Sequence, residues 1–94
     1  MLGFAMRAGR LVIGTDLVCR SMARGEARLV LIAADVSSAT RKRLSQKAEY
    51  YGVSIAEPQL TSEELGKLLG KTYAPATVAV TDEGFATEIK KASI

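Results

Sequence analysis

The hydrophobic positions along this chain switch repeatedly between helical spacing and the unbroken runs of buried strands. "MLGFAMRA" offers Leu2, Phe4, Ala5 and Ala8 for burial at helical spacing, and Gly9 supplies the stop. "RLVI" is a brief extended piece. Gly14 then permits a tight turn, and Thr15 is placed to cap a helix that runs to about Arg24 and closes at Gly25. On that helix Val18, Cys19 and Met22 share a core-facing side. Asp16, Arg20 and Arg24 recur every fourth residue on another, with Leu17 at its edge.

"ARLVLIAAD" is a strand whose continuous apolar run predicts burial on both faces. "SSATRKRLSQKAEYYG" follows as a helix, capped by Ser37 or Ser38, with Leu44, Ala48 and Tyr51 on one face and Gly52 as the stop. "VSIAE" is a short strand. "TSEELGKLLG" opens with a Thr61–Glu64 capping box and ends at Gly70. "ATVAVTD" is a second buried strand, and "DEGFATEIKKA" forms a last helix with Phe85 and Ile89 facing inward. The order α-β-α-β-α-β-α-β-α predicts an α/β fold, a three-layer α/β/α sandwich around a central mixed sheet of about four strands. The 94 residues are expected to form one domain.

Composition removes several kinds of chemistry. The chain has no histidine and one cysteine, Cys19, so histidine acid-base catalysis, a zinc site and an internal disulfide are excluded. Cys19 lacks a base to activate it and reads as a small buried hydrophobe. No cofactor is expected. Neither the phosphate-loop pattern nor the three-glycine dinucleotide fingerprint is present around Gly9 and Gly14. Asp16 and Asp35 have no spacing that argues for a carboxylate pair, and no enzymatic role is expected. The apolar run from Leu29 is too short to cross a bilayer, and "MLGFAMRAG" does not read as a signal peptide. A reducing cytoplasm and no membrane partner are the expected setting.

Charge changes the picture. Residues 1–47 hold nine Lys/Arg against three Asp/Glu, a local charge of +6, whereas residues 48–94 carry −3. A polyanion-facing side fits this asymmetry, and so does ordinary surface charge. At the helix beginning with Gly14 and Thr15, accessible backbone N–H groups, the positive end of the helix dipole and the arginines beyond make an anion site. The alternative is a capped surface helix with an Asp16–Arg20 ion pair. Arg41, Lys42, Arg43 and Lys47 form a second basic cluster, which also suits a solvated face. The "YAPA" segment, with Tyr73, Ala74 and Pro75, is a stiffened loop able to pack against an unstacked base, or a plain connection.

Taken together, "AGRLVIGTDLVCRSMARGEARLVLIAADVS", "EYYGVSI", "ELGKLLG", "ATVAVTD" and "DEGFA" resemble the kink-turn-binding ribosomal protein family. That family includes large-subunit protein seven Ae, protein thirty e and small bacterial members of the YlxQ type. The resemblance spans essentially the whole chain. It implies an α/β/α sandwich that grips a sharply bent RNA duplex, the start of the second helix entering the major groove beside tandem sheared G·A pairs. The usual motif there is Gly-Thr-Asn-Glu-x-x-Lys, or Gly-Thr-Lys-Gln-x-x-Lys in some bacterial members. Here it reads Gly14-Thr15-Asp16-Leu17-Val18-Cys19-Arg20. Gly14 and Thr15 match, and Arg20 keeps the cation. Asp16 only accepts hydrogen bonds where Asn also donates, and Leu17 cannot bond a base edge. The resemblance therefore implies weakened or relaxed base reading, with backbone contacts from Arg10, Arg20 and Lys42. An apolar grip would come from Tyr73, Ala74 and Pro75, and the loop Ala34-Asp35-Val36 would lie near the RNA. The expected partner is structured RNA, ribosomal or another kink-turn RNA, with protein partners in a ribonucleoprotein. A protein-interaction module on the same fold, with Leu17 in an apolar patch, is the alternative.

Overall fold

In the computed structural model, which describes residues 8–91, the elements run β1 (Leu11–Ile13), α1 (Thr15–Ala23), β2 (Leu29–Ile32), α2 (Ser38–Tyr51), β3 (Ser54–Ala56), α3 (Ser62–Leu68), β4 (Thr77–Val80) and α4 (Glu83–Lys91). This is the alternation expected from the sequence. The further helix expected over residues 1–8 falls, apart from Ala8, outside the described residues.

The strands form one mixed sheet in the order β1-β4-β2-β3. β4 is antiparallel to β1 and to β2, and β3 is parallel to β2. Strands β1, β2 and β3 therefore finish at the sheet end where β4 begins. In register, Ile32 of β2 stands opposite Thr77, and Leu29 and Leu11 flank Val80 from the two sides.

The unbroken apolar runs have a direct structural cause. Successive strand residues point to opposite faces, and here both faces are covered. Leu29, Leu31, Val78 and Val80 pack with Leu65, Leu69, Ala86 and Ile89, beneath α3 and α4. Val30, Ile32 and Ala79 pack with Val18, Cys19 and Met22 of α1 and Leu44 and Ala48 of α2. The result is the expected three-layer α/β/α sandwich. Its core is aliphatic, each fully buried Val, Leu or Ile contributing roughly 1.5–3 kcal/mol through burial.

Two aromatic side chains depart from the expected inward positions. Tyr51, the last residue of α2, is 41% exposed and meets Tyr50 edge to face at 4.8 Å, so its phenol stays in water. Phe85 is only half-buried against the core, while Ile89 is fully buried. The caps of α2 and α3 follow expectation. The Ser37 hydroxyl accepts from the Thr40 N–H at 3.2 Å, and Thr61 and Glu64 form a complete capping box.

Candidate nucleic-acid interface

Topology gathers three segments at one end of the sheet. The start of α1 follows the end of β1, the loop Ala34–Val36 follows β2, and the segment Tyr73–Ala76 precedes β4. Backbone hydrogen bonds tie them together. The Gly14 N–H donates to the Thr77 carbonyl at 3.0 Å, and the Ala33 N–H donates to the Ala76 carbonyl at 2.9 Å.

The start of α1 is built differently from a side-chain-capped helix. The capping position is Gly14, at φ 110° and ψ 140°, a conformation that glycine adopts without the Cβ penalty other residues carry. Thr15 is the first helical residue rather than the expected cap, and its hydroxyl turns toward the sheet to meet that of Thr77 at 3.0 Å. Among the described residues, the N–H groups of Thr15, Asp16 and Leu17 have no hydrogen-bond partner; the first bond of the helix is Val18 N–H to the Gly14 carbonyl at 2.9 Å. Three donors thus remain at the positive end of the helix dipole. Gly14 and Thr15 are partly exposed and Arg20 is exposed, so a polymer can reach them.

Asp16 does not make the expected pair with Arg20. Its Oδ1 instead accepts from an Arg43 guanidinium nitrogen on α2 at 3.3 Å. Helices α1 and α2 are packed side by side on one sheet face, which brings position 43 within reach. Arg20 is left without an acidic partner within 4 Å among the described residues. Leu17 is 51% exposed beside it.

The two loops divide their labour. The Asp35 carboxylate accepts the Ser62 N–H at 2.8 Å and the Ser62 hydroxyl at 3.0 Å, anchoring the β2–α2 loop to the first turn of α3. These two bonds to the ionised form hold its pKa below the usual aspartate range. In the "YAPA" segment Tyr73 is 55% exposed and Ala74 is exposed, but Pro75 is buried. Pro75 therefore cannot be part of an exposed apolar grip. Its ring packs under the loop against Gly66 of α3, where an added Cβ would stand 3.2 Å from Pro75 Cδ.

Two further expected contacts are not part of this site, Arg10 because of the sheet end it occupies and Lys42 because of the helix face it lies on. Arg10 precedes β1, so it sits at the opposite sheet end, about 13 Å from Gly14 along an extended chain. Its carbonyl accepts from Thr81 after β4, and it lines a recess with Gly25, Glu26 and Arg28. Lys42 is exposed on α2, two residues and so roughly 200° around the helix from the buried Leu44, facing away from the sheet. The α2 cations that border α1 are Arg43 and Lys47. Sequence reasoning also missed Thr77 and Gly66. A hydroxyl at the head of an otherwise apolar strand, and a glycine inside a short helix, were the available signals.

The model of the "Ribosomal protein L7Ae/L30e/S12e/Gadd45 family" matches residues 1–90. The "RNA-binding protein YlxQ" of Bacillus subtilis is 40% identical over 89 residues, covering 95% of this chain and 87% of the relative. The protein of the same name from Enterococcus faecium is 37% identical, covering 97% and 85%. "Large ribosomal subunit protein eL30" of Methanocaldococcus jannaschii is 26% identical, covering 85% and 73%. Among solved structures, "The structure of a protein with unknown function from Bacillus halodurans C" superposes with a TM-score of 0.90 at 28% identity, covering 96% and 89%. The "Giardia lamblia 15.5kD RNA binding protein" shares the fold, with a TM-score of 0.80 at 17% identity, covering 98% of this chain and 79% of that one. The chain belongs to the ribosomal protein L7Ae/L30e/S12e/Gadd45 family, as a YlxQ-type member.

Proposed function

We propose that this protein is a non-enzymatic RNA-binding protein that recognises structured, kink-turn-like RNA in a ribosome-associated setting. One observation carries the reading: the Gly14-capped start of α1, with three N–H groups unpartnered among the described residues and Arg20 one turn on, stands at the same sheet end as Tyr73, Ala74 and the Ala34–Val36 loop. N–H donors and a guanidinium suit phosphate oxygens, and a phenol ring suits an unstacked base. The names carried by its relatives, an RNA-binding protein and a large-subunit ribosomal protein, support the same reading. The test is a gel shift of a kink-turn RNA against a matched straight duplex at two salt concentrations. Preferential, salt-weakened binding to the kink-turn is expected, because phosphate contacts release counterions. Equal and negligible binding to both RNAs overturns the proposal.

The exposed Leu17 favours a second reading, a protein-interaction surface on the same fold. That reading expects Leu17→Asp to abolish function while Arg20→Ala leaves it intact. The RNA reading expects Arg20→Ala to weaken binding. A pull-down from lysate with and without ribonuclease separates them.

A further inference from the structure

The cleft between α1 and α2 supports an extension of the RNA interface, and this inference rests on the RNA reading. The cleft, about 330 Å³, is lined by Asp16, Cys19, Arg20, Ala23, Arg43 and Lys47. Three cations thus border it against one carboxylate. Cys19 is nearly buried and Ala23 is short, so the space between the charged walls is open enough for a backbone to approach.

Folding alone gives little reason for this arrangement. Arg43 and Lys47 lie one helical turn apart, where like charges repel. Elsewhere in the same basic run the chain supplies a counterion, since Arg41 is paired with Glu57. Among the described residues, neither Lys47 nor Arg20 has an acidic group within 4 Å. Arg43 does have one, but Asp16 engages only its NH1 nitrogen, leaving other donors of the fork available. Asp16 also sits within the first turn of α1, so the cleft opens directly beside the unpartnered N–H groups.

We propose that this cleft is a phosphate track. An RNA strand docked at the start of α1 continues between the helices, held by Arg20 on one wall and by Arg43 and Lys47 on the other. Asp16 acts here as a positioning residue. It holds the Arg43 guanidinium toward the helix start, and that same pairing offsets the repulsion its own carboxylate would exert on phosphate. The interface therefore reaches onto α2 through Arg43 and Lys47, rather than through Lys42.

The experiment is a fluorescence-anisotropy titration of a kink-turn RNA with the full chain across a salt series. Each phosphate contact removed lowers the steepness with which log K falls against log salt by about 1. Arg43→Gln and Lys47→Gln are each expected to lower it by about that amount, and the double variant by about 2. Arg43→Lys retains the slope, because the charge remains. Lys91→Gln on α4, with the same loss of charge on the other face of the sheet, leaves it unchanged. Wild-type slopes in Arg43→Gln and Lys47→Gln, with a lowered slope in Arg20→Gln, overturn the track and leave the helix-start reading standing. Equal and negligible binding of the wild-type protein to the kink-turn and to a straight duplex overturns both.

Discussion

The Thr15 hydroxyl lies 3.0 Å from the Thr77 hydroxyl, joining the first residue of α1 to the first residue of β4 across 62 positions of sequence. Thr77 is fully buried and also receives the Gly14 N–H on its carbonyl, so one threonine sets both the height and the tilt of the helix start. Thr77→Val keeps the shape and the backbone bond but deletes the hydroxyl. It should lower stability by about 1 kcal/mol, the usual net worth of such a bond. Urea unfolding would read this as a lower midpoint at unchanged m. Thr77→Ser retains the hydroxyl and should recover most of the RNA affinity that Thr77→Val loses.

Gly66 sets the position of the tyrosine loop. A Cβ built there stands 2.3 Å from the Tyr73 carbonyl oxygen and 3.2 Å from Pro75 Cδ. Backbone cannot yield as a flexible side chain does, so Gly66→Ala has to push the loop outward or shift α3. Overpacking of this kind costs roughly 1–3 kcal/mol, against a gain of up to about 1 kcal/mol in helix propensity. A lower midpoint is expected, together with increased amide exchange in residues 71–76. An unchanged midpoint and unchanged exchange would place the loop elsewhere in solution.

The contacts of Asp35 and Glu64 lend the same corner an acid sensitivity. Ser62 holds the Asp35 pKa down through its N–H and hydroxyl, and Thr61 does the same to Glu64 within the capping box. A carboxyl whose folded pKa lies below its unfolded value contributes stability above the unfolded value. That contribution fades as pH falls from about 4 through the folded value. Asp35→Asn should therefore be less stable than wild type at neutral pH. The difference should shrink steadily as urea midpoints are followed into acid. A gap that stays constant with pH would mean that the Asp35–Ser62 contact carries no ionic component.

The layered fold was legible because its signals are local. Continuous apolar runs at Leu29–Ile32 and Val78–Val80, separated by capped helices, leave little choice but a sheet covered on both faces. The candidate site was legible only where it too is local, in the stretch from Gly14 to Arg20. What escaped depends on contacts between distant elements. Asp16 has a plausible partner four residues on, yet meets Arg43, 27 positions away, because α1 and α2 are neighbours on the sheet. Arg10 is close to Gly14 in sequence, but an intervening strand carries it to the far end of the molecule. Pro75 belongs to an exposed-looking turn, and its burial follows from Gly66 leaving room for it.

The departures from the family motif at positions 16 and 17 make the last prediction. Asp16 and Leu17 are both exposed, so Asp16→Asn with Leu17→Glu should change stability by less than about 0.5 kcal/mol. The double variant restores the Asn-Glu pair of the kink-turn-binding motif. A base contact of that kind adds about 1–3 kcal/mol of discrimination. Preference for a kink-turn over a straight duplex should therefore rise by roughly five- to 150-fold. Asp16→Asn alone removes one negative charge but also frees Arg43 from the partner that positions it, two opposed effects on phosphate contacts, so the affinities for both RNAs should move together with little change in their ratio. The double variant leaves the net charge unchanged, since Leu17→Glu returns the charge that Asp16→Asn removes; if it leaves the ratio at the wild-type value, residues 16 and 17 do not read bases. A rise in the ratio alone would locate base reading at these two positions, with Arg20 and the free N–H groups holding the backbone beside them.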